Sequence, residues 1–368
     1  MLQLRQQNSH VTYCKISGHT FQSHNSKRRC ELHCFESSRS KNERLEEYCE
    51  KVYYYSRNRS FTKQLSLKPF IVSSRNDHKL LENLKRLKLP IVFEGIHSTY
   101  FLNHPELKGY KKLLRAHNKE HEYYRSLAGL ESNFIKALYY RFESNKLKRY
   151  EKKLHACDSI CSISLKDQQH FSKRFPDASQ WLPSFHGNKR LKSLEGKGYF
   201  ALFHANLAVN DNMKSALFLI DVFSTIDYPL VIAGNTEDKK FLQLVDRHKN
   251  ISFIPLQDRE QLIELMKRAH INVFYTYQSA GMKTRILQAA FNSRFILCNS
   301  KMIDGSQLES ICSLATDKQS FRKEILKLAE TDYGAAQMDM KKKALKNYRD
   351  ATNAKRLITL LFESQQEE

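Results

Sequence analysis

The segment that most strongly determines the fold class reads INVFYTY at residues 271–277 and GMKTRILQAA at residues 281–290. The first run is short, apolar and rich in β-branched and aromatic residues, which predicts a buried strand. The second run and the residue after it carry apolar side chains at helical spacing, at Met282, Ile286, Leu287, Ala290 and Phe291. Gly281 therefore lies at a turn from a strand into a helix, which is the repeating unit of an α/β fold.

Lys283 and the amides of this predicted helix start together favour an anion. The first N–H groups of a helix have no partner within it, and the helix dipole places partial positive charge at the same end. A lysine in the first turn adds a cation. We therefore predict that a phosphate-bearing ligand binds here, while an ordinary helix start with a solvated lysine remains the alternative.

Composition indicates two domains and a cytoplasmic protein. The chain has 368 residues, of which 41% are apolar, enough for two cores. Its eight cysteines form no CxxC pair, so buried, reduced thiols are expected rather than a zinc site. No run approaches the roughly 18–20 apolar residues of a membrane span, and residues 1–30 lack the apolar stretch of a signal peptide. Any membrane contact is therefore predicted to be peripheral, on the inner face of the membrane.

The formal charge of +22 lies mostly in the first half of the chain. Residues 1–180 hold 34 lysines and arginines against 18 acids, whereas residues 181–368 hold 27 against 21. A basic first half favours a nucleic acid, an anionic lipid surface or a phosphate-bearing substrate as partner. A generally cationic surface is the alternative. Since the chain has no nucleic-acid-binding signature motif, nucleic acid is not the predicted partner.

Short apolar runs alternate with helical patterns, which predicts βα units and mostly parallel sheets. In the first half the predicted strands are 31–35, 51–55, 70–73, 90–94, 113–117 and 159–163, with a long charged helix over 133–156. In the second half they are 199–204, 229–233, 251–255, 271–275, 295–298 and 313–315.

This pattern predicts two facing, doubly wound, Rossmann-like α/β domains with a cleft between them. The N-terminal domain is expected to span residues 1–183 and the C-terminal domain residues 199–350. Residues 184–198 are polar, contain three glycines and have no period, so they are predicted to form the linker. A helix and tail are expected over 351–368.

Three polar strand ends of the second half are candidate ligand sites, because ligands of open α/β sheets bind beyond the carboxyl ends of the strands. They are the loop at 204–212, which contains Asn206, the turn at Gly234, and the turn at Gly281. The amide of Gln288, two turns into the last helix, can both donate to and accept from a ribose hydroxyl. Plain βα connections and a surface glutamine are the alternatives.

Two neighbouring strand ends of the first half carry histidines. His97 closely follows the strand that ends at Glu94, while His117 and Asn118 follow the next strand beside Arg115. A histidine in this position can act as an acid or base or can hold an acceptor hydroxyl, and the glutamate can orient a ligand or cap the turn. A purely structural histidine is the alternative.

Several motifs are absent from the sequence. Without an Asp-x-Asp, no metal ion is expected, and charge on a leaving diphosphate would be met by Lys283, another cation and helix dipoles. Without a Walker-type GxxxxGK[ST] or a GxGxxG, ATP hydrolysis and dinucleotide redox chemistry are poorly supported, and no cofactor is predicted.

Taken together, these residues resemble a GT-B glycosyltransferase of the retaining, metal-independent group called family 4. The resemblance covers about residues 31–362. It is carried by HCF at 33–35, YYY at 53–55, FEGIH at 93–97, RAHNKEH at 115–121, ISLKD at 163–167, and the segments 204–212, 233–234 and 281–290.

The resemblance implies a nucleotide-sugar donor in the C-terminal domain and an acceptor in the N-terminal one. Lys283 would contact the donor diphosphate, Gln288 would occupy the place of a ribose-binding glutamate, and His97 would help to place the donor sugar and the acceptor. The catalytic candidates are His97 and Glu94. The donor-binding set is Asn206, Gly234, Gly281, Lys283, Arg285 and Gln288, and the acceptor-side set is Arg115, His117 and Asn118.

Two features depart from the family pattern. The family usually has two glutamates eight positions apart where this chain has Ala280 and Gln288, and it begins with an apolar strand and a glycine-rich loop that residues 1–30 do not offer. From the resemblance as a whole we predict a hexosyltransferase of polysaccharide biosynthesis that acts on a glycan or lipid-linked acceptor. Its predicted partners are the donor, that acceptor and an anionic membrane. A catalytically impaired relative that acts as a binding or scaffold protein is the alternative.

Overall fold

The structure, a computed structural model, describes residues 11–16, 30–36, 45–86, 88–278 and 282–362, with the backbone alone at 11–16. The chain forms two compact units. Unit 1 comprises Met1–Gly187 and Asp350–Glu368, and unit 2 comprises Asn188–Arg349.

The predicted linker at 184–198 is divided between the two units. Its second part is bonded into unit 2, because the Lys192 amide donates to the Phe291 carbonyl at 2.7 Å and the Gly198 amide donates to Nδ1 of His270 at 3.1 Å. A polar segment without helical or strand periodicity is therefore an ordered part of the fold here, rather than a linker without bonds to either unit.

The sheet of unit 1 has seven strands in the order β3-β2-β1-β4-β5-β6-β7. Their bounds are β1 Val11–Ile16, β2 Cys30–Phe35, β3 Lys51–Tyr55, β4 Ile91–Glu94, β5 Lys112–Ala116, β6 Ser159–Ser162 and β7 Ser179–Trp181. Apart from the two pairs that β1 makes, neighbouring strands in this sheet are parallel.

Strand β1 runs antiparallel to both of its neighbours, β2 and β4. The sequence offers no apolar strand in residues 1–30, yet the structure places β1 at the centre of the sheet. Its direction is the reverse of that of the first strand in a doubly wound sheet. The carboxyl end of β1 therefore lies at the opposite edge from the carboxyl ends of β2 to β7.

Among the described residues, six helices lie between these strands. They are α1 Phe61–Gln64, α2 Phe70–Ser73, α3 His78–Arg86, α4 Glu120–Leu130, α5 Phe134–Tyr150 and α6 Leu165–Ser172. The predicted strand at 70–73 is wrong, because α2 occupies it. Pro69 precedes the run, and its carbonyl accepts from the amides of Val72 and Ser73 at 2.9 and 2.8 Å, which closes a helical turn.

Apolar side chains cover both faces of this sheet. In β4, Phe93 packs in one cluster with Leu84 and Ile160, whereas the adjacent Val92 packs in another with Cys161. Successive side chains of a strand point to opposite faces, so this alternation indicates a sheet buried on both sides.

The sheet of unit 2 has six strands in the order β10-β9-β8-β11-β12-β13, and all the pairs between them are parallel. The strands are β8 Ala201–Asn206, β9 Leu230–Asn235, β10 Ile251–Pro255, β11 Ile271–Phe274, β12 Phe295–Cys298 and β13 Ser313–Leu314. The order reverses between β8 and β11, where doubly wound sheets bind their ligands.

In the described part of unit 2 there are seven helices. They are α7 Asn210–Phe223, α8 Lys239–Asp246, α9 Arg259–Arg268, α10 Thr284–Asn292, α11 Ser300–Ile303, α12 Lys318–Glu330 and α13 Ala335–Ala344. The prediction of Rossmann-like α/β domains is thus confirmed by the topology.

The last helix, α14 Asp350–Phe362, lies with unit 1. Leu357 and Leu361 are buried against the β4–β6 region of its sheet. The Asp350 carboxylate accepts from the Gly187 amide at 2.7 Å. The helix predicted near the end of the chain therefore completes the core of unit 1. Within the part of the chain that the structure describes, every helix is too short or too polar to span a bilayer.

Candidate functional site

A cavity of about 640 Å³ opens in unit 2 at the carboxyl ends of β8 and β9. The start of α10, which follows β11, closes another side of it. The cavity thus occupies the point where the strand order reverses. Its polar lining includes His204, Asn206, Gly234, Lys283, Thr284 and Arg285.

Arg285 is half-buried and brings its guanidinium to this cavity. Burial lowers its pKa to about 10, so the group is still protonated at neutral pH. Its Nη1 is buried and makes no hydrogen bond with any residue that the structure describes. Asp211 partly offsets this charge, but a buried donor without a hydrogen bond is unfavourable, so the cavity is electrostatically suited to an anion.

His204 lies beside this cation as a neutral imidazole. Burial, with a smaller contribution from Arg285, lowers its pKa to about 3. The ring packs edge-on against Phe274 at a centroid distance of 5.1 Å, and Nε2 is buried without a hydrogen-bond partner among the described residues. The neutral ring can therefore exchange a hydrogen bond with a ligand without adding charge.

The start of α10 presents backbone donors to the same cavity. Lys283 is its N-cap and makes no side-chain capping bond, so it stands one residue before the helix rather than in the predicted first turn. The amides of Thr284 and Arg285 belong to the first turn, where N–H groups have no acceptor within the helix. A helix start without a side-chain cap is suited to bind an anionic group.

Gly234 has a structural explanation. A Cβ built there would stand 2.3 Å from the carbonyl oxygen of Ala205, its partner in the β8–β9 pair. The nearby Asn206 holds its own loop, because its Oδ1 accepts from the Ala208 amide at 3.1 Å and its carbonyl accepts from Nδ2 of Asn212 at 2.8 Å. Both residues line the cavity, as the sequence predicts, but both also stabilise the fold.

Gln288 is not among the residues that line the cavity. Its Oε1 accepts from Nδ2 of Asn188 at 3.3 Å, and its carbonyl accepts from Nδ2 of Asn292 at 2.8 Å. A ribose contact through Gln288 therefore remains a prediction. Gly281, together with Ala280, falls outside the described residues.

Asp211 is a residue of this region that the sequence did not mark. Its Oδ2 accepts from the Thr276 hydroxyl at 2.8 Å and its Oδ1 from the Tyr277 amide at 3.1 Å. These bonds join the start of α7 to the segment after β11. The partners are 65 and 66 positions away in the sequence, so local patterns contain no signal for them.

In unit 1, the structure brings together Glu94, His97 and His117 at the carboxyl ends of β4 and β5. Nε2 of His117 and Oε2 of Glu94 are 2.9 Å apart. The His97 and His117 rings lie at 67° with centroids 6.3 Å apart. Gly95 between the strand and the turn has a φ of +86°, which favours glycine.

Arg115 and Asn118 occupy different environments from these three. Arg115 is fully buried, with Nη2 3.4 Å from the Pro183 carbonyl and the guanidinium 4.9 Å from the Phe185 ring. Nδ2 of Asn118 donates to Glu120 at 3.4 Å. Burial raises the pKa of Glu120 to about 7, a shift that the sequence alone did not indicate.

His121, Glu151 and His170 form a second cluster in unit 1. Their ligand atoms lie within 4.8 Å of one another, which is compatible with a metal ion. The Glu151 carboxylate already accepts from His121 at 2.5 Å, His170 at 3.2 Å and Arg174 at 2.7 Å. Burial opposes ionisation, but the bonds from the two histidines lower the pKa of Glu151 to about 2. This network is satisfied by protein donors.

Comparison with known sequences finds a distant relative. No family model matches the chain. An uncharacterized 44.6 kDa protein in the cps region of Klebsiella pneumoniae is 26% identical over 313 residues, which cover 79% of each chain.

Solved structures are similar in fold. HepE of Anabaena, in complex with UDP and glucose, matches with a TM-score of 0.59 and 10% identity over 85% of this chain and 86% of its own. The lipopolysaccharide outer core galactosyltransferase WaaB matches with a TM-score of 0.53 and 10% identity over 85% and 84%.

TarM of S. aureus matches with a TM-score of 0.55 and 10% identity over 74% of this chain and 54% of its own, so the chain spans about half the length of TarM. These likenesses confirm the predicted GT-B fold.

Proposed function

We propose that the protein is a glycosyltransferase that moves a hexose from a nucleotide-sugar to a glycan or lipid-linked acceptor. The observation that carries the proposal is the guanidinium of the half-buried Arg285, which lines a cavity at the strand-order reversal of unit 2 together with Lys283. Its Nη1 is buried without a hydrogen bond from the described residues. The HepE structure of the same fold contains UDP and glucose, which supports a nucleotide-sugar as the donor.

The donor diphosphate binds at the start of α10. Lys283 and Arg285 supply two cations, and the first amides of the helix supply hydrogen-bond donors. As the bond to the sugar breaks, negative charge grows on the diphosphate, and fixed donors stabilise that charge without rearranging. These groups take the part that a divalent ion plays in other enzymes, so the proposed transfer is metal-independent.

The acceptor binds at the carboxyl ends of β4 and β5 in unit 1. The Glu94 carboxylate fixes the orientation of His117 through the 2.9 Å contact, and His97 lies beside it. A histidine held in this way can orient a hydroxyl and take up its proton. Retention of stereochemistry is proposed from the family resemblance.

A thermal-shift panel of UDP, GDP and their sugars tests the donor site. A ligand that binds only the folded protein raises its melting temperature by mass action. We expect one nucleotide series to raise the melting temperature of the protein and of a Lys239→Ala control, whose exposed lysine lies outside the cavity. Lys283→Ala is expected to remove the shift. No shift with any nucleotide would contradict the proposal.

A binding or scaffold role in polysaccharide assembly is the second candidate. Gln288 replaces the usual glutamate and its Oε1 bonds Asn188, and β1 is reversed where the family has its glycine-rich loop. Release of free nucleotide from the bound sugar donor separates the two candidates. Turnover that is lost in His97→Ala supports the transferase, whereas tight binding without turnover supports the scaffold.

A further inference from the structure

Unit 1 carries an exposed surface that is both apolar and basic. Its apolar members are Phe61, Leu65 and Leu67 around α1 and Phe134, Ile135 and Phe142 on α5, with exposed fractions from 59% to 93%. We call this set the α1–α5 surface. Phenylalanines and leucines exposed together to this extent mark an interaction site rather than ordinary surface.

The apolar residues of α5 form one stripe. Phe134, Ile135, Leu138 and Phe142 recur at helical spacing and share the exposed side. The buried residues of α5 begin only at Glu143, and they are Glu143, Ser144, Leu147 and Tyr150. The first half of the helix packs mainly against α4, and its apolar side faces solvent.

The α4–α5 hairpin projects past the edge of the sheet. Helix α4 begins just beyond the carboxyl end of β5, and the Ser144 hydroxyl donates to the His121 carbonyl in its first turn at 2.6 Å. The ten residues of α5 before Ser144 extend roughly 15 Å farther, at about 1.5 Å per residue. The stripe thus lies beyond the edge that carries Glu94 and His97.

Two hydrogen bonds bring the α1 segment to the same place. Nζ of Lys146 donates to the Gln64 carbonyl at 2.9 Å, and the Phe70 amide donates to the Glu143 carboxylate at 2.7 Å. Lys146 is one helical turn after Phe142, so the exposed side chains of α1 continue the stripe.

The charges around this surface are mostly positive, and Glu131, just before α5, is an exception. Residues 57–68 contain four lysines and arginines and no acid. Residues 134–150 contain five, with Glu143 as the single acid, and Glu143 is buried and paired with Lys146. Apolar side chains surrounded by cations match an anionic bilayer, whose headgroups attract the cations while its acyl boundary takes up the apolar groups.

We propose that the α1–α5 surface binds an anionic lipid bilayer and brings the carboxyl edge of the unit 1 sheet to the membrane. Docking goes beyond the proposed glycosyl transfer and does not require it. The further consequence, that the acceptor hydroxyl belongs to a lipid-linked glycan, rests on the proposed function.

Vesicle sedimentation of the full chain, without nucleotide, tests the docking. We expect binding to vesicles of equal parts phosphatidylcholine and phosphatidylglycerol, and little binding to pure phosphatidylcholine. The triple variant Phe134→Ser, Ile135→Ser, Phe142→Ser should bind roughly tenfold or more weakly, since each exposed side chain that enters the bilayer adds affinity. Its control, Leu217→Ser, Leu326→Ser, Met340→Ser, changes three apolar residues of unit 2 that are 41% to 49% exposed, and it should bind normally.

Charge-neutralising variants test the electrostatic contribution to bilayer binding. Lys136→Gln, Arg141→Gln, Arg149→Gln should weaken binding on the order of 100-fold, since each cation near an anionic bilayer contributes roughly fivefold. Lys239→Gln, Lys240→Gln, Lys343→Gln removes the same charge from exposed positions of unit 2 and should weaken it far less. Circular dichroism checks that all four variants fold.

Three outcomes would overturn the proposal. In the first, the folded protein does not bind anionic vesicles. In the second, the α1–α5 variants bind as strongly as their controls. In the third, the native protein does not bind vesicles but forms a dimer, and the triple serine variant does not form that dimer. The last would assign the surface to a second copy of the chain. Because the assay contains no nucleotide, its failure is independent of the thermal-shift result for the donor site.

Discussion

Gly95 is the residue at which backbone and packing both forbid a side chain. Its φ is +86°, and a Cβ would stand 2.5 Å from Cε1 of His97. We expect Gly95→Ala to lower the free energy of unfolding by about 2–4 kcal/mol, since the left-handed backbone costs about 1–2 kcal/mol and the displaced ring adds to it. Urea denaturation followed by circular dichroism measures the change.

Gly109→Ala is the matched control for that variant. Gly109 has a φ of +82°, and a Cβ added there would have no heavy atom of the described residues within 4 Å, apart from chain neighbours. It should lose only the backbone contribution, about 1 kcal/mol. Equal losses in the two variants would mean that His97 does not rest against Gly95.

Arg285 gives the sharpest prediction for the donor cavity. Its Nη1 is buried without a hydrogen bond from the described residues, so Arg285→Met should leave the free energy of unfolding unchanged or raise it. The same change should weaken nucleotide binding about 10- to 100-fold, because hydrogen bonds to charged groups contribute about 1.5–3 kcal/mol. Titration calorimetry and urea denaturation measure the two effects. A clear loss of stability would instead make Arg285 a structural cation.

At the scale of single residues, the sequence predicts those whose place follows from a strand end. Glu94, His97 and His117 meet as their positions after β4 and β5 require. It does not predict His204 and Glu120, since burial in the folded protein alone shifts their pKa values. That burial depends on residues distant in sequence.

Among the elements, Glu151 joins α4 and α6 through His121 and His170. Its pKa is lowered from 4.5 to about 2 in the folded protein, so its ionised form stabilises the fold above about pH 4.5 and this contribution is lost as the pH falls toward 2. We expect Glu151→Gln to lower the free energy of unfolding by about 2–4 kcal/mol at neutral pH.

The pH dependence of that variant is the check. Between neutral pH and about pH 3, the difference between the native chain and Glu151→Gln should shrink, because the native carboxylate approaches protonation. Urea denaturation across this range measures it. A difference that stays constant with pH would show that packing, rather than the charge of Glu151, stabilises this cluster.

The strands of unit 2 were predictable because buried parallel strands are continuous apolar runs. For example, β12 is almost wholly buried and has the predicted bounds. The run at 70–73 is equally apolar but follows Pro69, and a run of four residues does not distinguish a helical turn from a strand. Strand β1 reads VTYCKI and mixes polar with apolar residues. Its central place depends on pairing with β2 and β4 rather than on its own composition.

For the whole molecule, the single tryptophan distinguishes the two units. Trp181 ends β7 in unit 1, and its carbonyl accepts from Arg356 of α14 at 2.9 Å. Leu357 of the same helix is buried. We expect Leu357→Ala to cost about 2–4 kcal/mol and to move the fluorescence transition of Trp181 to lower urea concentration.

Leu328→Ala is the corresponding variant in unit 2, where Leu328 is buried in α12. It should move the circular dichroism transition while changing the Trp181 transition much less. If Leu357→Ala moved circular dichroism alone, α14 would not belong to the core of unit 1. The sequence predicts two domains that follow one another along the chain. It does not predict that the helix after unit 2 packs on the sheet of unit 1, because no local pattern indicates that contact.

The position of α14 also has a consequence for synthesis on the ribosome. Residues 188–349 emerge as one continuous segment and can fold as soon as they leave the exit tunnel. Unit 1 emerges earlier but lacks Leu357 and Leu361 until roughly 160 residues later, which is about 8–30 s at ordinary translation rates. During that interval the face that later receives α14 is open, and a chaperone that binds apolar nascent chain would be expected there. The unit made first is therefore the one completed last.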